Sequence, residues 1–175
     1  MIGFILMTVA PAYPHIAMKV DGRGTVVMEL YPEQAPKLCQ HVLDLVESKF
    51  YDGMLIHRKV PDFVIQTGDP TSKKVTVSWA RKNPGDHGGT KTLGDGGSGH
   101  SVKYEINDLT HEQYTVGMAL ESPMDDSGDS QFFINLKDNF RLNGMYEVFA
   151  RVTKGQDIVM KIERGDRIRS IRRID

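Results

Sequence analysis

The chain of 175 residues is poor in cysteine and tryptophan, with one of each, and it has almost no excess of charge of either sign. Because Cys39 has no second cysteine in the chain to pair with, the composition requires no oxidising compartment, and we expect a cytoplasmic protein. Lys and Arg number 22 against 23 Asp and Glu, a formal net charge of −1, which argues against work mainly on nucleic-acid phosphates or anionic lipid. We expect a monomer without nucleic-acid or membrane partners.

Long hydrophobic runs are also missing. The most apolar stretch, residues 1–10, falls well short of the roughly 20 residues that cross a bilayer. It also lacks the positive charges that precede the hydrophobic part of a secretory signal. Two interpretations stay open, a flexible leader over residues 1–14 or a chain that starts at Met7. With 39% hydrophobic and 26% charged residues, the chain fits one domain, which we place at residues 15–175.

The abundant residues are those of turns: 17 glycines and eight prolines indicate short elements rather than a few long helices. Residues 15–20 and 25–30 are apolar-rich runs on either side of Asp21-Gly22-Arg23-Gly24, an arrangement typical of a β-hairpin. Further strands are predicted at residues 63–66, 115–119, 131–135, 146–152 and 168–174.

Two helices are predicted between these strands. Over residues 32–50, apolar side chains recur at steps of three and four, which makes one apolar stripe on a helix, and Pro36 is acceptable only in its first turn. Residues 156–162 fit a second, shorter helix. Seven or eight short strands with two helices favour a closed or nearly closed β-barrel capped by helices.

Residues 71–93 fit no regular element. The stretch is polar, contains Asn83-Pro84-Gly85 and the only tryptophan, Trp79, and is long for a loop in a compact domain. It is either functional or a surface elaboration, and both interpretations stay open.

Six sequence blocks carry a recognisable pattern. They are FYDG at 50–53, IHRKVPDFVIQTGDP at 56–70, GDGGSG at 94–99 with Tyr104-Glu105 behind it, GMA at 117–119, SQFFI at 130–134 and LNG at 142–144. In these blocks and their order the sequence resembles the cyclophilins, the cyclosporin-binding class of peptidyl-prolyl isomerases, from about residue 15 to residue 174. The resemblance implies a mainly β fold, a closed eight-stranded antiparallel β-barrel capped by two α-helices. It also implies an enzyme that speeds cis/trans rotation about Xaa-Pro bonds and so assists protein folding.

The resemblance assigns roles to individual residues. Arg58 falls at the family's catalytic arginine, Gln66 at the glutamine that holds the arginine and the substrate backbone, and Phe63 at a wall of the proline pocket. The other implied substrate-binding positions are His57, Val64, Ala119, Phe133, Leu142, Tyr146 and Arg141. No nucleophile, metal or cofactor is implied, because no covalent bond is made or broken. The implied partners are proline-containing peptides and unfolded or flexible protein segments.

Competing interpretations remain for several of these positions. Plain core packing competes for Val64 and Leu142, because most apolar side chains are buried for stability. For Gln66 the alternative is a structural role, in which its buried amide forms hydrogen bonds with backbone groups of a loop. For His57, an orienting or packing role competes with direct substrate contact.

Two positions and two segments depart from the family pattern. Arg141 stands where cyclosporin-sensitive relatives carry tryptophan, and the loss of the indole predicts a weakened affinity for cyclosporin. Tyr146 stands where many relatives carry histidine, and its hydroxyl could donate to the substrate carbonyl. Residues 120–129 are longer than in the familiar forms and carry three aspartates, which either favour basic residues beside the proline or form a solvated acidic loop. The insertion at 71–93 would project beside the substrate groove.

Other enzyme classes are set aside on their motifs. Ser130 lies in no Gly-x-Ser-x-Gly elbow, which argues against a serine hydrolase. The six histidines show no HExxH or i, i+4 spacing for zinc, and no Lys-Ser/Thr follows residues 94–99 as a phosphate loop requires. The one serious alternative is a non-catalytic module of the same fold that binds proline-containing segments, although a pure binder would have less need of Arg58.

Overall fold

Eight strands form the β structure of the computed structural model, which describes residues 13–83 and 93–175. They are β1 (His15–Val20), β2 (Gly24–Leu30), β3 (Arg58–Val60), β4 (Val64–Thr67), β5 (Thr115–Met118), β6 (Phe132–Asn135), β7 (Val148–Lys154) and β8 (Ile168–Arg173). All pair antiparallel in one sheet, in the order β3-β4-β6-β5-β7-β2-β1-β8. The predicted strands are confirmed with their ends shifted by one or two residues, and β3 is an additional strand.

The predicted hairpin of β1 and β2 is confirmed. Its turn includes Gly22 with a φ of +69°, a conformation that glycine adopts without steric cost. In β1, Ile16, Met18 and Val20 are buried, whereas the residues between them are more exposed. This alternation places one face of the sheet on the core, as the period of two in a strand requires.

The sheet is open, and the predicted closed barrel is therefore wrong. β3 and β8 are its two edges. The seam between these edges depends on scattered backbone hydrogen bonds, such as Ile56 N to Asp166 O at 2.9 Å and Ile168 N to Met54 O at 2.8 Å. Because β3 has only three residues and the chain before it is irregular, no continuous ladder forms between the edges within the described residues.

The first helix, α1, spans Pro36–Glu47, inside the predicted range of 32–50. Pro36 occupies its first turn, as expected, and one face buries six side chains: Leu38, Cys39, Val42, Leu43, Leu45 and Val46. Ala35 at the N-cap has no side chain to accept a backbone hydrogen bond. Glu105, from a distant loop, does so instead, because its Oε2 accepts from Lys37 N at 2.9 Å and Leu38 N at 3.0 Å. A carboxylate there satisfies unpaired N–H groups and complements the helix dipole.

Two further helices follow, so the described residues hold three α-helices rather than the predicted two. α3 spans Gln156–Lys161 and packs against β2, while α1 packs against β8. α2 spans Val77–Lys82, inside the segment predicted as a loop. None of the helices in the described part of the chain has the length and apolar character needed to cross a membrane.

The insertion begins and ends at one carboxylate. Asp69 Oδ1 accepts from Thr71 N at 2.8 Å, and Asp69 Oδ2 accepts from Gly94 N at 2.6 Å. Thr76 caps α2 by accepting from the backbone of residue 79 at 3.1 Å, a helix-start signal that the loop interpretation missed. Ala80 of α2 is fully buried in a small apolar cluster with residues 55 and 93. Residues 84–92 of the insertion and residues 1–12 of the predicted leader lie outside the described residues.

Glu105→Ala should lower the free energy of unfolding by about 1 kcal/mol, the usual cost of losing a helix N-cap. Glu105→Gln keeps one carbonyl oxygen as an acceptor and should cost less. Urea denaturation of both variants and of the wild type measures the difference. A Glu105→Ala protein as stable as the wild type would show that this carboxylate does not stabilise α1.

Candidate functional site

Four residues on four neighbouring strands form a row across the outer face of the sheet. The register pairs Arg58 of β3 with Gln66 of β4, and Gln66 with Phe133 of β6. Phe133 in turn pairs with Gly117 of β5. Ile65 precedes Gln66 and lies in the core, and successive side chains of a strand point to opposite faces. The row therefore faces away from the core.

A relay of hydrogen bonds holds the Arg58 guanidinium. Arg58 Nη1 donates to Gln66 Oε1 at 3.0 Å, and Gln66 Nε2 donates to Gln131 Oε1 at 3.0 Å. Gln131 Nε2 donates to the carbonyl oxygens of Gly94 at 2.7 Å and Gly96 at 2.8 Å. Burial lowers the pKa of Arg58, but a guanidinium remains protonated in proteins. The site therefore presents a fixed positive charge in one orientation.

Phe133, which is 6% exposed, is held by two other aromatic rings. His111 stacks on it with ring centroids 5.6 Å apart and 17° between the planes. Tyr146 meets it edge-on, at 6.0 Å and 83°. Gly117 leaves the space that the phenyl ring needs, since a Cβ there would lie 2.5 Å from Phe133 Cζ. Stacked and edge-on pairs are both favourable, so the Phe133 ring is held in one orientation.

A buried polar network supports this ring stack. His111 Nδ1 accepts from Asn135 Nδ2 at 3.1 Å, and His111 Nε2 donates to Tyr146 O at 3.0 Å. Burial lowers the pKa of His111, and a neutral imidazole has the one donor and one acceptor that these contacts use. Asn139 Nδ2 donates to Asn135 Oδ1 at 2.8 Å and to Phe63 O at 3.1 Å. The backbone of Phe63 is thereby connected to the stack.

The Phe63 ring contacts two guanidinium groups. Arg58 Cζ lies 5.7 Å from the ring centroid, and Arg141 Cζ lies 4.7 Å from it. Both distances fit cation–π contacts. Arg141 is exposed, so it covers part of the ring from the solvent side.

Two of the predicted binding residues are buried more deeply than a pocket rim requires. Val64 is 1% exposed, although its pairing with Asn135 places it on the face of the row. His57 is 4% exposed, and neither ring nitrogen has a hydrogen-bond partner among the described residues. Burial lowers the pKa of His57 to about 4, against the opposing effect of nearby Asp69. For both residues, packing explains the observed position better than direct contact with a ligand.

The last two predicted residues, Ala119 and Leu142, lie half-buried at the margins of the site. Ala119 N donates to Gln131 O at 3.0 Å, which places it beside the relay. Leu142 ends the 3-10 turn Phe140–Leu142, and its carbonyl accepts from Tyr146 N at 3.3 Å. Leu142 therefore belongs to the segment that positions the Tyr146 ring.

An open groove of about 1020 Å³ runs along the relay. Four of the ten predicted site residues line it: His57, Arg58, Gln66 and Ala119. Residue 93 at the end of the insertion and residues 94–97 of the glycine-rich block line it as well. The other six lie around the Phe133 stack or behind it. The predicted residues thus form two adjoining regions with Arg58 between them.

The three aspartates of residues 120–129 are engaged within the protein. Asp125, Asp126 and Asp129 each accept a backbone N–H at 2.9 Å, from residues 122, 104 and 98 in that order. Carboxylates bound to backbone N–H groups stabilise the loops that carry them. This observation favours the acidic-loop interpretation over selection of basic substrates.

The sequence analysis did not predict two residues of this site. Gln131, which connects Gln66 to the glycine-rich segment, lies inside the SQFFI block, so the motif contained a usable signal. His111 had no such signal, because its stacking on Phe133 depends on a contact between distant parts of the chain.

Chemically, the arrangement combines an apolar surface with one oriented cation. The apolar part consists of the Phe63 and Phe133 rings. The Arg58 guanidinium, 5.7 Å from the centroid of the Phe63 ring, can donate a hydrogen bond to an electron-rich atom of a ligand.

Comparison with known proteins identifies the family. The model of the cyclophilin type peptidyl-prolyl cis-trans isomerase family matches residues 15–174. Peptidyl-prolyl cis-trans isomerase B of Bacillus subtilis is 35% identical over 154 residues, which are 87% of this chain and 92% of the relative. Peptidyl-prolyl cis-trans isomerase ppi1 of Schizosaccharomyces pombe is 33% identical over 139 residues, 79% of each chain.

Solved structures agree on the fold. A cyclophilin type peptidyl-prolyl cis-trans isomerase of Cryptosporidium parvum superposes with a TM-score of 0.77 at 23% identity, over 93% of this chain and 98% of that one. The same protein crystallised in the presence of the dipeptide Ala-Pro gives a TM-score of 0.74 at 24% identity, over 92% and 99% of the two chains.

The buried, neutral state of His57 predicts a loss of stability in acid. Its folded-state pKa of about 4 lies below the ordinary value of 6.5, so the folded protein binds fewer protons than the unfolded chain. Stability from this residue is complete above pH 6.5 and falls as the pH drops towards 4. Between pH 6.5 and 5 the wild type should lose about 2 kcal/mol more than His57→Phe, which has no proton to gain. Urea denaturation at both pH values measures this, and equal losses in the two proteins would contradict it.

Proposed function

The chain belongs to the cyclophilin-type peptidyl-prolyl cis-trans isomerases, and from that premise we propose that Arg58 stabilises the twisted Xaa-Pro bond while an apolar pocket holds the proline ring. The observation that carries the proposal is the Arg58 guanidinium, bound by Gln66 and adjacent to the Phe63 ring.

The chemistry needs no covalent step. Rotation about a prolyl bond breaks amide resonance, at a barrier of about 18–20 kcal/mol. In the twisted state the imide nitrogen regains a lone pair, which can accept a hydrogen bond. A guanidinium donates to it without losing its proton, and this bond exists only in the twisted state. Such preorganised electrostatic stabilisation lowers the barrier without binding the ground state more tightly.

Orientation of the arginine supports this role. A free arginine side chain has many rotamers, and ordering it during the reaction would cost free energy. Here Gln66 and the ring of Phe63 restrict Arg58 before a substrate binds. The relay through Gln131 restricts Gln66 in turn.

The proline pocket is assigned to the region around the Phe133 ring, rather than to the groove along the relay. Phe63 and Phe133 form its walls, with Leu142 at its edge and Val64 behind them as packing. We assign to the Tyr146 hydroxyl the role of donor to a substrate carbonyl, and the edge-on contact of its ring with Phe133 supports this assignment. On this assignment the proline enters beside Arg58, and the preceding residue lies in the groove along Ala119.

The proposed substrates are proline-containing peptides and flexible protein segments, in agreement with the Cryptosporidium parvum relative that was crystallised in the presence of Ala-Pro. A cytoplasmic location is proposed on the single cysteine alone. A pure binding module is less favoured, because binding a proline ring does not require a half-buried, oriented guanidinium, which loses hydration on burial.

Arg58→Ala should lower kcat/KM for an Ala-Pro peptide by about a hundredfold, the typical cost of removing one preorganised donor from a transition state. Two-dimensional exchange NMR measures the cis/trans interconversion directly at equal protein concentrations. Arg58→Lys keeps the charge but lacks the forked geometry, so it should recover only part of the activity.

Arg169→Ala is the matched control, since Arg169 is an exposed arginine that pairs with Asp21 away from the site. It should retain wild-type kcat/KM. A folded wild-type protein that binds the peptide without accelerating interconversion would establish the binding module instead, and an active Arg58→Ala protein would refute the arginine mechanism.

Cyclosporin should bind this protein weakly, because the indole that contacts it in sensitive relatives is replaced by Arg141. Arg141→Trp should raise the affinity by about tenfold or more, the combined effect of one hydrogen bond and a flat apolar surface. Isothermal titration calorimetry measures both proteins. The neighbouring exposed residue gives a control, as Phe140→Trp adds the same side chain one position away and should change the affinity little. Tight binding by the wild type would contradict this prediction.

A further inference from the structure

Helix α2 of the insertion packs directly on the turn before β8. Arg81 of α2 forms an ion pair with Asp166, at 2.9 Å between Nη2 and Oδ1, and Asp166 is 5% exposed. Gly165 has a φ of +86°, and a Cβ on it would lie 2.9 Å from Arg81 Cγ and 3.2 Å from Val77 O. The close approach therefore depends on a glycine at this position. Helix and turn form one packed unit.

Arg164, in the same turn, bridges this unit to the active site. Its Nε donates to His57 O at 2.8 Å, and its Nη2 donates to Asn83 O at the end of α2. Both acceptors are main-chain carbonyls, one in the insertion and one in the residue just before Arg58. The guanidinium is half-buried and lines the same groove as Arg58.

The position of this bridge matters because β3 is short and its first residue is Arg58. β3 has three residues, lies at the edge of the sheet and, within the described residues, pairs with β4 alone. The residue before it is held from the β4 side, since His57 N donates to Gln66 O at 3.1 Å. The hydrogen bond from Arg164 restrains the His57 carbonyl, which belongs to the peptide group that joins His57 to Arg58.

The other end of the insertion is also connected to Arg58. The carbonyl of Gly94 accepts from Gln131, which accepts from Gln66, which accepts from Arg58. The support of Arg58 thus meets the insertion at Asn83, which accepts from Arg164, and again directly after it at Gly94, which accepts from Gln131.

We propose that Arg164 is a positioning residue of the isomerase, which fixes the backbone at His57 against the insertion and so orients Arg58 for the reaction. The proposal depends on the proposed role of Arg58. A guanidinium suits this function because its rigid fork donates in two directions at once, whereas a lysine ammonium on a flexible stem does not hold two acceptors in a fixed geometry. Loss of the fork leaves the His57 carbonyl less restrained and Arg58 with more freedom. The proposed role of Arg164 also gives the insertion a function in catalysis.

The test compares Arg164→Ala, Arg164→Lys and the control Arg169→Ala by exchange NMR on an Ala-Pro peptide, with kcat and KM determined separately. Arg164→Ala should lower kcat about fivefold to tenfold with KM within about twofold, since it removes orientation in the transition state rather than substrate binding. Arg164→Lys should lie between Arg164→Ala and the wild type. Arg169→Ala, which also removes one arginine close to β8, should match the wild type.

A second readout does not depend on catalysis. In protein with ¹⁵N-labelled arginine, the Arg58 Nε–H resonance should shift and broaden in Arg164→Ala and stay unchanged in Arg169→Ala. An unchanged resonance with unchanged kcat would overturn the proposal. If Arg164→Ala does not fold, the same two measurements on Arg164→Lys decide the question.

A double-variant cycle separates this proposal from the proposed function. Adding Arg164→Ala to Arg58→Ala should lower the residual activity no further, because Arg164 acts through Arg58. An equal loss in both backgrounds would show that Arg164 acts directly and would overturn the positioning role. If Arg58→Ala alone retains full activity, the arginine mechanism fails, and the Arg58 resonance then tests whether Arg164 positions it at all.

Discussion

The register of four short strands determines which side chains meet in the candidate site. Pairing of β3, β4, β6 and β5 places Arg58, Gln66, Phe133 and Gly117 in one row on one face. A slip of one residue in any of these pairings would turn the affected side chains inward and bring core residues to the surface. The large apolar residues between them, such as Ile65 and Phe132, make such a slip costly, because about 25 cal/mol is lost for each Å² of apolar surface returned to water. The core therefore specifies the candidate site by excluding other registers.

Neutral groups around the arginine complete this arrangement. His57 and His111 are both buried, and burial lowers the pKa of each, which favours their neutral forms, whereas two guanidinium groups contact the Phe63 ring. Gln66 orients Arg58 without neutralising it, whereas a carboxylate in the same place would form an ion pair and compete with the substrate for the guanidinium. Amide side chains are thus suited to hold a cation that must remain available to a ligand.

The sequence was informative where the signal is local. The hairpin turn, the apolar stripe of α1 and the alternation in the strands each follow from neighbouring residues, and the motif blocks contained Arg58, Gln66 and Phe133, which the strand register brings into one row. The closed barrel failed because closure depends on the meeting of β3 and β8, which are far apart in sequence and which the intervening turn at residues 163–166 keeps irregular. α2 was missed because it lies in a polar stretch that was interpreted as a loop, whereas α3, which is equally short, was predicted. The stacking of His111 and the bridge by Arg164 depend on tertiary contacts for which the sequence holds no spacing rule.

Asp69 has a consequence for the evolution of this fold. Its two carboxylate oxygens accept from Thr71, the first residue of the insertion, and from Gly94, directly after the insertion, so the chain enters and leaves this segment at nearly one point. Loop-closure entropy rises slowly with length, by only about 0.6 kcal/mol for each doubling. A segment with such a base can be lengthened, shortened or exchanged by genetic insertion and deletion while β4 and the glycine-rich segment keep their places. The cyclophilin fold thereby has an insertion point next to the open groove. New elements such as α2 can be added there without a change in the sheet.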